Sequence, residues 1–129
     1  MSTINAGDFA ISMDRIIREY TDQVSEGIYD ETESVAKKVL REVKSRAPKL
    51  TGSYAKGFKI TNKSLKTYGY AKFVVWNKKH YKLVHLLELG HAKRGGGRVR
   101  AYPHLRPAYD KYAAELVDSI KNIIQNGGR

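Results

Sequence analysis

The spacing of apolar positions divides the chain into segments of different period. From Asp8 onward, Phe9, Met13, Ile16, Ile17, Tyr20, Val24 and Ile28, and then Val35, Val39, Leu40, Val43 and Ala47, recur in steps of three and four. That is the signature of one face of an α-helix. Asp8 is the N-cap candidate, because its short side chain can accept a free backbone N–H. Pro48 is the stop, because the residue before a proline is driven out of the helical region. Unbroken, such a helix would span about 60 Å at 1.5 Å per residue. A compact domain of this size is shorter than that, so the helix must project, bend or break. Gly27 is the expected weak point, since an interior glycine costs about 1 kcal/mol relative to alanine. The polar residues 1–7 have no period and predict a frayed lead.

Beyond the Pro48-Lys49-Leu50-Thr51-Gly52-Ser53 turn the period drops to two. Phe58 and Ile60 alternate with Lys59 and Thr61, and Phe73 and Val75 with Lys72, Val74 and Trp76, which predicts two antiparallel strands over 54–62 and 65–77 joined at Asn62-Lys63-Ser64. The aromatics Tyr68, Tyr70 and Trp76 oppose Phe73 and Val75, so both sheet faces should be covered, one by helices and the other by a neighbouring subunit.

Tyr81 to Leu89 reads as a short helix or helix-like turn with Val84, Leu87 and Leu83 inward, ended by Gly90 in the left-handed conformation. A glycine-rich basic loop follows, within which Val99 to Tyr102 offers a brief third strand. Pro107 suits a helical first turn, and Tyr109, Tyr112, Leu116, Ile120 and Ile123 or Ile124 mark the stripe of a last helix ending at Gly127-Gly128. The fold class is α+β: a long N-terminal helix, a small antiparallel sheet of two to four strands, a short helix, the basic loop, and a C-terminal helix packed on the sheet. At 129 residues and 41% hydrophobic, the chain predicts a single domain over 1–129.

Charge changes this picture more than composition does. The net charge of +11 is unevenly spread: residues 1–34 hold eight acids and two bases, giving −6, and residues 35–129 hold five acids and twenty-two bases, giving +17. Such polarity suits a polyanion partner, or copies of the chain meeting with opposite faces together. The absence of cysteine rules out disulfides and thiolate metal sites. Without a leader-like N-terminus or an apolar run near ~18 residues, the chain reads as soluble and unexported.

Candidate chemistry concentrates between Leu83 and Pro107. His85, Glu88 and His91 stand three residues apart, a spacing imidazole and carboxylate ligands could use for zinc or nickel. Gly90 ends the helix before His91, however, and no recognised metalloprotease spacing is present, so no metal or other cofactor is expected. Without cysteine or a Gly-x-Ser-x-Gly elbow, a nucleophilic hydrolase has no constellation to use. A metal-independent ribonuclease using His80, His104, Tyr102 and the loop arginines is the enzymatic alternative. Gly95-Gly96-Gly97 lacks the pattern of a phosphate-binding loop. What remains is a basic loop carrying Lys93, Arg94, Arg98 and Arg100, suited to nucleic-acid phosphates or to the carboxylates of a partner protein. Glu88 is the only acid between Glu42 and Asp110. Its expected partner is a loop arginine such as Arg94 or Arg106, or the backbone donors at the start of the last helix.

Leu86-Leu87-Glu88-Leu89-Gly90-His91, then the glycine-rich basic gap, then Tyr102-Pro103-His104-Leu105-Arg106-Pro107-Ala108 and a terminal amphipathic helix resemble the head-tail joining or tail-completion (neck) proteins of long-tailed bacteriophages. Thr51-Gly52 is similar to that family's step into its first strand, although Ser53-Tyr54-Ala55-Lys56 departs from what usually follows. The resemblance implies a non-enzymatic virion protein, made in the host cytoplasm, that forms a homo-oligomeric ring at the neck. Its partners would be further copies of itself, the portal-side connector proteins of the head, and the tail terminator or tail tube protein, with possible contact to packaged DNA and none to membrane. On that reading Lys93, Arg94, Arg98 and Arg100 form a docking loop anchored by Glu88, Gly90, Pro103, Arg106 and Pro107.

Overall fold

The computed structural model describes residues 6–49 and 52–128. Its elements, in chain order, are α1 (Ala6–Arg46), a one-turn α2 (Ser53–Lys56), β1 (Phe58–Asn62), β2 (Phe73–Asn77), α3 (Tyr81–Leu89), β3 (His91–Ala92), β4 (Arg98–Val99) and α4 (Leu105–Gln125). The α+β architecture is the expected one, with a long first helix, a small antiparallel sheet, short helices and a last helix.

The first helix neither breaks nor weakens at Gly27. It runs for 41 residues and crosses Gly27 because the missing side chain makes room for the end of α4. A Cβ at Gly27 would stand 3.0 Å from Ile123 Cγ2 and 3.2 Å from the Gly128 carbonyl oxygen. Asp8 is not the N-cap, since the helix already includes Ala6 and Gly7. The rest of the expected frayed lead, residues 1–5, lies outside the described residues, as do Leu50 and Thr51. At its other end α1 stops before Pro48, the Ala47 N–H closing the last turn on the Val43 carbonyl at 2.8 Å.

Helix α4 lies antiparallel to α1. The Tyr20 hydroxyl donates to the Ile124 carbonyl at 2.7 Å near one end, and Lys38–Glu115 (2.7 Å) and Lys111–Glu42 (3.3 Å) ion pairs follow toward the other. The helix closes on a Schellman turn in which Gly127, at φ 67°, lets the Gly128 N–H reach the Ile123 carbonyl at 2.8 Å.

The strands are shorter than the alternation suggests. β1 and β2 pair antiparallel from Phe58↔Asn77 to Asn62↔Phe73. The segment before β1 is the α2 turn rather than strand, and Tyr68 and Tyr70 lie outside β2, in a connection that holds one 3₁₀ turn and an isolated Leu65↔Tyr70 bridge. Asn62-Lys63-Ser64 is not the turn: the Lys63 N–H still donates to the Lys72 carbonyl (2.8 Å), Asn62 Oδ1 accepts the Ser64 N–H at 2.9 Å, and the hairpin closes beyond the Leu65↔Tyr70 bridge. One sheet face packs on α1, where Tyr29 packs at a tilt against Phe73 and its hydroxyl accepts from Asn62 Nδ2 (2.6 Å). On the other, Trp76 Nε1 donates to Thr61 Oγ1 at 2.6 Å beneath the Lys59 ammonium. The expected third strand is likewise displaced: β4 pairs with β3 as a separate two-stranded ribbon, His91↔Val99 and Ala92↔Arg98.

The core is small and sits at one end. Val43, Ala47, Tyr54, Ala55, Phe58 and Ala108 form it, with Val84, Leu87 and Leu105 packed alongside. Leu83, expected inward, is exposed. Many apolar side chains stay outside this core.

Candidate functional site

The basic loop becomes a ribbon standing on a built foot. Lys93 N–H donates to the Gly97 carbonyl at 2.9 Å and Gly96 N–H to the Lys93 carbonyl at 3.2 Å, so the glycines make a hydrogen-bonded turn. Gly96 and Gly97 take φ of 99° and 80°, where a side chain would be strained. Lys93, Arg94, Arg98 and Arg100 are all exposed on the ribbon. Arg98 reaches back, its Nη2 donating to the Leu89 carbonyl at 3.3 Å, one of the carbonyls the end of α3 leaves unpaired.

Gly90 supplies the crossing point. It ends α3 at φ 73° and ψ 175°, an extended conformation essentially restricted to glycine rather than the expected left-handed helical one. The returning strand passes so close that a Cβ there would stand 2.5 Å from the Val99 carbonyl oxygen and 3.0 Å from the Ala101 nitrogen. Beyond it, Tyr102 N–H donates to the Leu87 carbonyl at 2.6 Å.

Glu88 joins this foot to α4. Of the partners open to it from sequence, it takes the backbone donors. One carboxylate oxygen accepts the N–H groups of His104 (2.8 Å) and Leu105 (3.1 Å), and the other that of Arg106 (2.7 Å). A helix begins with four N–H groups that have no internal partner. In α4 these belong to His104, Leu105, Arg106 and residue 107, and residue 107 is a proline with no N–H to satisfy. Glu88 and Pro107 between them account for all four, and the carboxylate also lies at the positive end of the helix dipole. Burial by itself would raise the Glu88 carboxyl, but the donors of Arg106, His104 and Leu105 outweigh it and hold the group below the ordinary carboxylate range. The Arg106 guanidinium turns away to Asp110 (Nε to Oδ2, 3.2 Å). Arg94 stays on the exposed turn, and Pro103 lies at the surface before α4.

Behind Glu88 lies a buried polar chain. The His104 side chain is fully buried, with Nδ1 2.8 Å from the Tyr102 carbonyl and 3.0 Å from Glu88 Oε2, and Nε2 2.6 Å from the Tyr54 hydroxyl. Both neighbours of Nδ1 are acceptors, so that nitrogen carries a hydrogen. In the neutral ring Nε2 then accepts the hydrogen of Tyr54. Burial first, and the Glu88 charge second, push the Tyr54 phenol up to about 12. Asn77, also buried, ties the chain to the sheet: its Nδ2 donates to the Tyr54 carbonyl (2.7 Å) and its Oδ1 accepts the His80 N–H (2.8 Å). Tyr54 and Asn77 carry no sequence signal for this role, because their partners are reached only through the fold.

This arrangement closes off one of the groups an acid–base ribonuclease would need. Both ring nitrogens of His104 are taken and its ring is closed to solvent, so it is not available to a phosphodiester. The possible metal trio is also dispersed, and among the described residues no group of three or more histidines or acids could hold a metal ion.

Above the small core, α1 floors an open groove between β2 and α4. Val35 and Val39 form the floor, Val75 one wall and Leu105, Tyr109 and Val117 the other, enclosing about 810 Å³. Leu89, 69% exposed, stands at its mouth beside Arg106. The expected α4 stripe supplies Tyr109 and Leu116 of this groove but not Leu105 or Val117, and α4, expected to pack on the sheet, packs chiefly on α1 instead.

A protein-family model described as "Bacteriophage HK97-gp10, putative tail-component" matches residues 12–90, more than half of the chain, from α1 through Gly90. No curated protein and no solved structure matches the chain.

Proposed function

The chain belongs to the HK97-gp10-like family of bacteriophage tail components, and from that premise we propose that it is a structural protein of the phage neck. In this reading it forms a ring joining the connector of the DNA-filled head to the tail terminator or tail tube, assembling in the host cytoplasm and ending in the virion. The observation that carries the proposal is the footed basic ribbon. Between Glu42 and Asp110 the only acid is Glu88, and its carboxylate is committed to the α4 backbone. The charge of Lys93, Arg94, Arg98 and Arg100 is therefore left for a partner's carboxylates, which arginine forks bind bidentately. Gly90, Pro103, Arg106 and Pro107 serve the ribbon from below by fixing where it leaves α3 and where α4 begins.

The test is a phage carrying Arg98→Ala and Arg100→Ala. Both side chains are exposed, so the protein folds normally while heads and tails accumulate unjoined. Normal yields of infectious particles would refute the docking role.

The same exposed cations favour a second contact, with the phosphates of packaged DNA at the centre of the ring. That contact predicts DNA binding at low salt that weakens ~10- to 1000-fold as salt is raised, since each neutralised phosphate releases counterions. Failure to bind DNA at low salt would remove it.

A further inference from the structure

The outer face of the β1–β2 hairpin is made of lysines around one indole. Lys59 opposes Trp76 and Thr61 opposes Val74 on the ladder. The Trp76–Thr61 bond and the Lys59 ammonium over the indole lie on the face turned away from α1. Backbone bonds from the Lys63 N–H to the Lys72 carbonyl (2.8 Å) and from the Lys78 N–H to the Gly57 carbonyl (3.0 Å) carry the ladder one pair further at each end. By the alternation of a strand, Lys63, Lys72 and Lys78 therefore share the face of Lys59 and Trp76, which runs about 20 Å from Lys72 to Lys78. All five side chains are exposed.

The described part of the chain does not balance this charge. Residues 56–82 hold eight lysines and no acid, and among the described residues none of the eight enters an ion pair. Lys63 and Lys72 stand directly opposite each other, a like-charge pair that destabilises a sheet and is relieved by an anion laid across it.

The complementary surface is on α1. Residues 19–34 hold six acids and no base. Glu19, Asp22, Glu26 and Asp30 follow steps of three, four and four, which line them along one helix face over about 17 Å, and all four are exposed. Lys66 lines the same pocket as Asp22 and Glu26 but lies over the Tyr29 ring, 4.0 Å from its centre, instead of pairing with either. The acidic stripe cannot reach the lysine face of its own molecule, because α1 lies against the opposite face of the sheet.

We propose that the acidic stripe of one copy docks on the lysine face of the next, with Glu19, Asp22, Glu26 and Asp30 meeting Lys59, Lys63, Lys72 and Lys78 around Trp76. Four charges then face four of opposite sign over patches of similar length. A nucleic acid would neutralise the lysines and leave the carboxylates without a partner, whereas a second copy satisfies both patches at once. Two different patches meet, so the contact is heterologous and generates a ring when the rotation between copies closes. The inference rests on the ring reading above and gives that ring its interface.

Charge exchange tests it. One full-length variant carries Lys59→Glu, Lys63→Glu, Lys72→Glu and Lys78→Glu, and the other Glu19→Lys, Asp22→Lys, Glu26→Lys and Asp30→Lys, with circular dichroism as the check that each keeps the fold. Ring formation is followed by sedimentation and, for a chain that closes only on heads, by electron microscopy of particles. Each variant alone is expected to associate at least about 10-fold more weakly than wild type, because like charges now face each other. Mixing the two restores assembly, since both kinds of contact between them pair opposite charges. In wild-type rings made from isotopically light and heavy chains, a carbodiimide joins touching ammonium and carboxylate groups into an amide and takes up the water as a urea. The expected cross-links run from the four lysines of one copy to the four acids of another. Wild-type-like rings from either variant alone, a folded pair that fails to assemble on mixing, or wild-type rings without those cross-links would each overturn this inference while leaving the ring reading standing. So would lysine-variant rings of normal strength that have lost DNA binding, which would assign the face to a polyanion. A wild-type chain that forms no ring in solution or on particles brings down both.

Discussion

The Glu88 carboxylate and the His104 residue meet twice: Oε2 accepts the His104 backbone N–H at 2.8 Å and stands 3.0 Å from its ring Nδ1. One side chain from the end of α3 thus fixes both the start of α4 and the ring behind it, and the ribbon between them is held at both feet. Glu88→Ala removes the acceptor of three N–H groups and is expected to cost about 2–4 kcal/mol, from the range for lost caps and charge-assisted bonds. Glu88→Gln, which keeps an acceptor, should cost less. Urea unfolding measures both, and a loss under about 0.5 kcal/mol for Glu88→Ala would contradict this role, being no more than an ordinary surface substitution produces.

Acid should act through the same carboxylate. Its pKa lies below the ordinary value of 4.5 in the folded chain, so its contribution is complete above that value and is lost as pH falls through the lower folded value. The difference in unfolding free energy between wild type and Glu88→Gln should therefore narrow below about pH 4.5. Unfolding curves at stepped pH check it, and a difference constant down to pH 2 would contradict it.

Tyr54→Phe leaves the buried Nε2 of His104 without its hydrogen and should cost about 1–3 kcal/mol, read as a lowered unfolding midpoint. Because the Tyr54 phenol is pushed up to about 12 from 10.0, the wild-type chain should also lose stability as pH rises from 10 toward 12, where unfolded tyrosine ionises first. Tyr54→Phe should lack that component, and equal alkaline slopes for the two proteins would rule it out.

These elements differ in how legible they were in the sequence, for physical reasons. Helix α3 was readable because a local apolar pattern ran into a glycine, and Glu88 because it was the only acid in a long basic stretch. Its helix-capping role was one of two readings, and no local spacing chose between them. The Tyr54–His104 bond joins residues 50 positions apart, and no spacing rule encodes such a pair. The strands were overextended because Tyr70 continues the alternation into a connection whose backbone bonds to itself. Gly27 was misread because helix propensity weighs only the helix it sits in, whereas here a second helix occupies the space of the absent Cβ.

Gly90→Ala tests the foot of the ribbon. Alanine at φ 73° and ψ 175° is strained by about 1–3 kcal/mol, and its methyl would also collide with the Val99 carbonyl. The expected result is a destabilised chain whose largest amide chemical-shift changes fall on residues 89–101. Unchanged stability would mean that the crossing does not depend on glycine.

In the proposed function this tail component sits at the neck as a ring. Cryo-electron microscopy of particles carrying a labelled copy of the chain tests it most directly. A closed ring of density at the head–tail junction is expected, with the label confined to that position. Label distributed along the tube or at the distal tip, with the junction unlabelled, would contradict it.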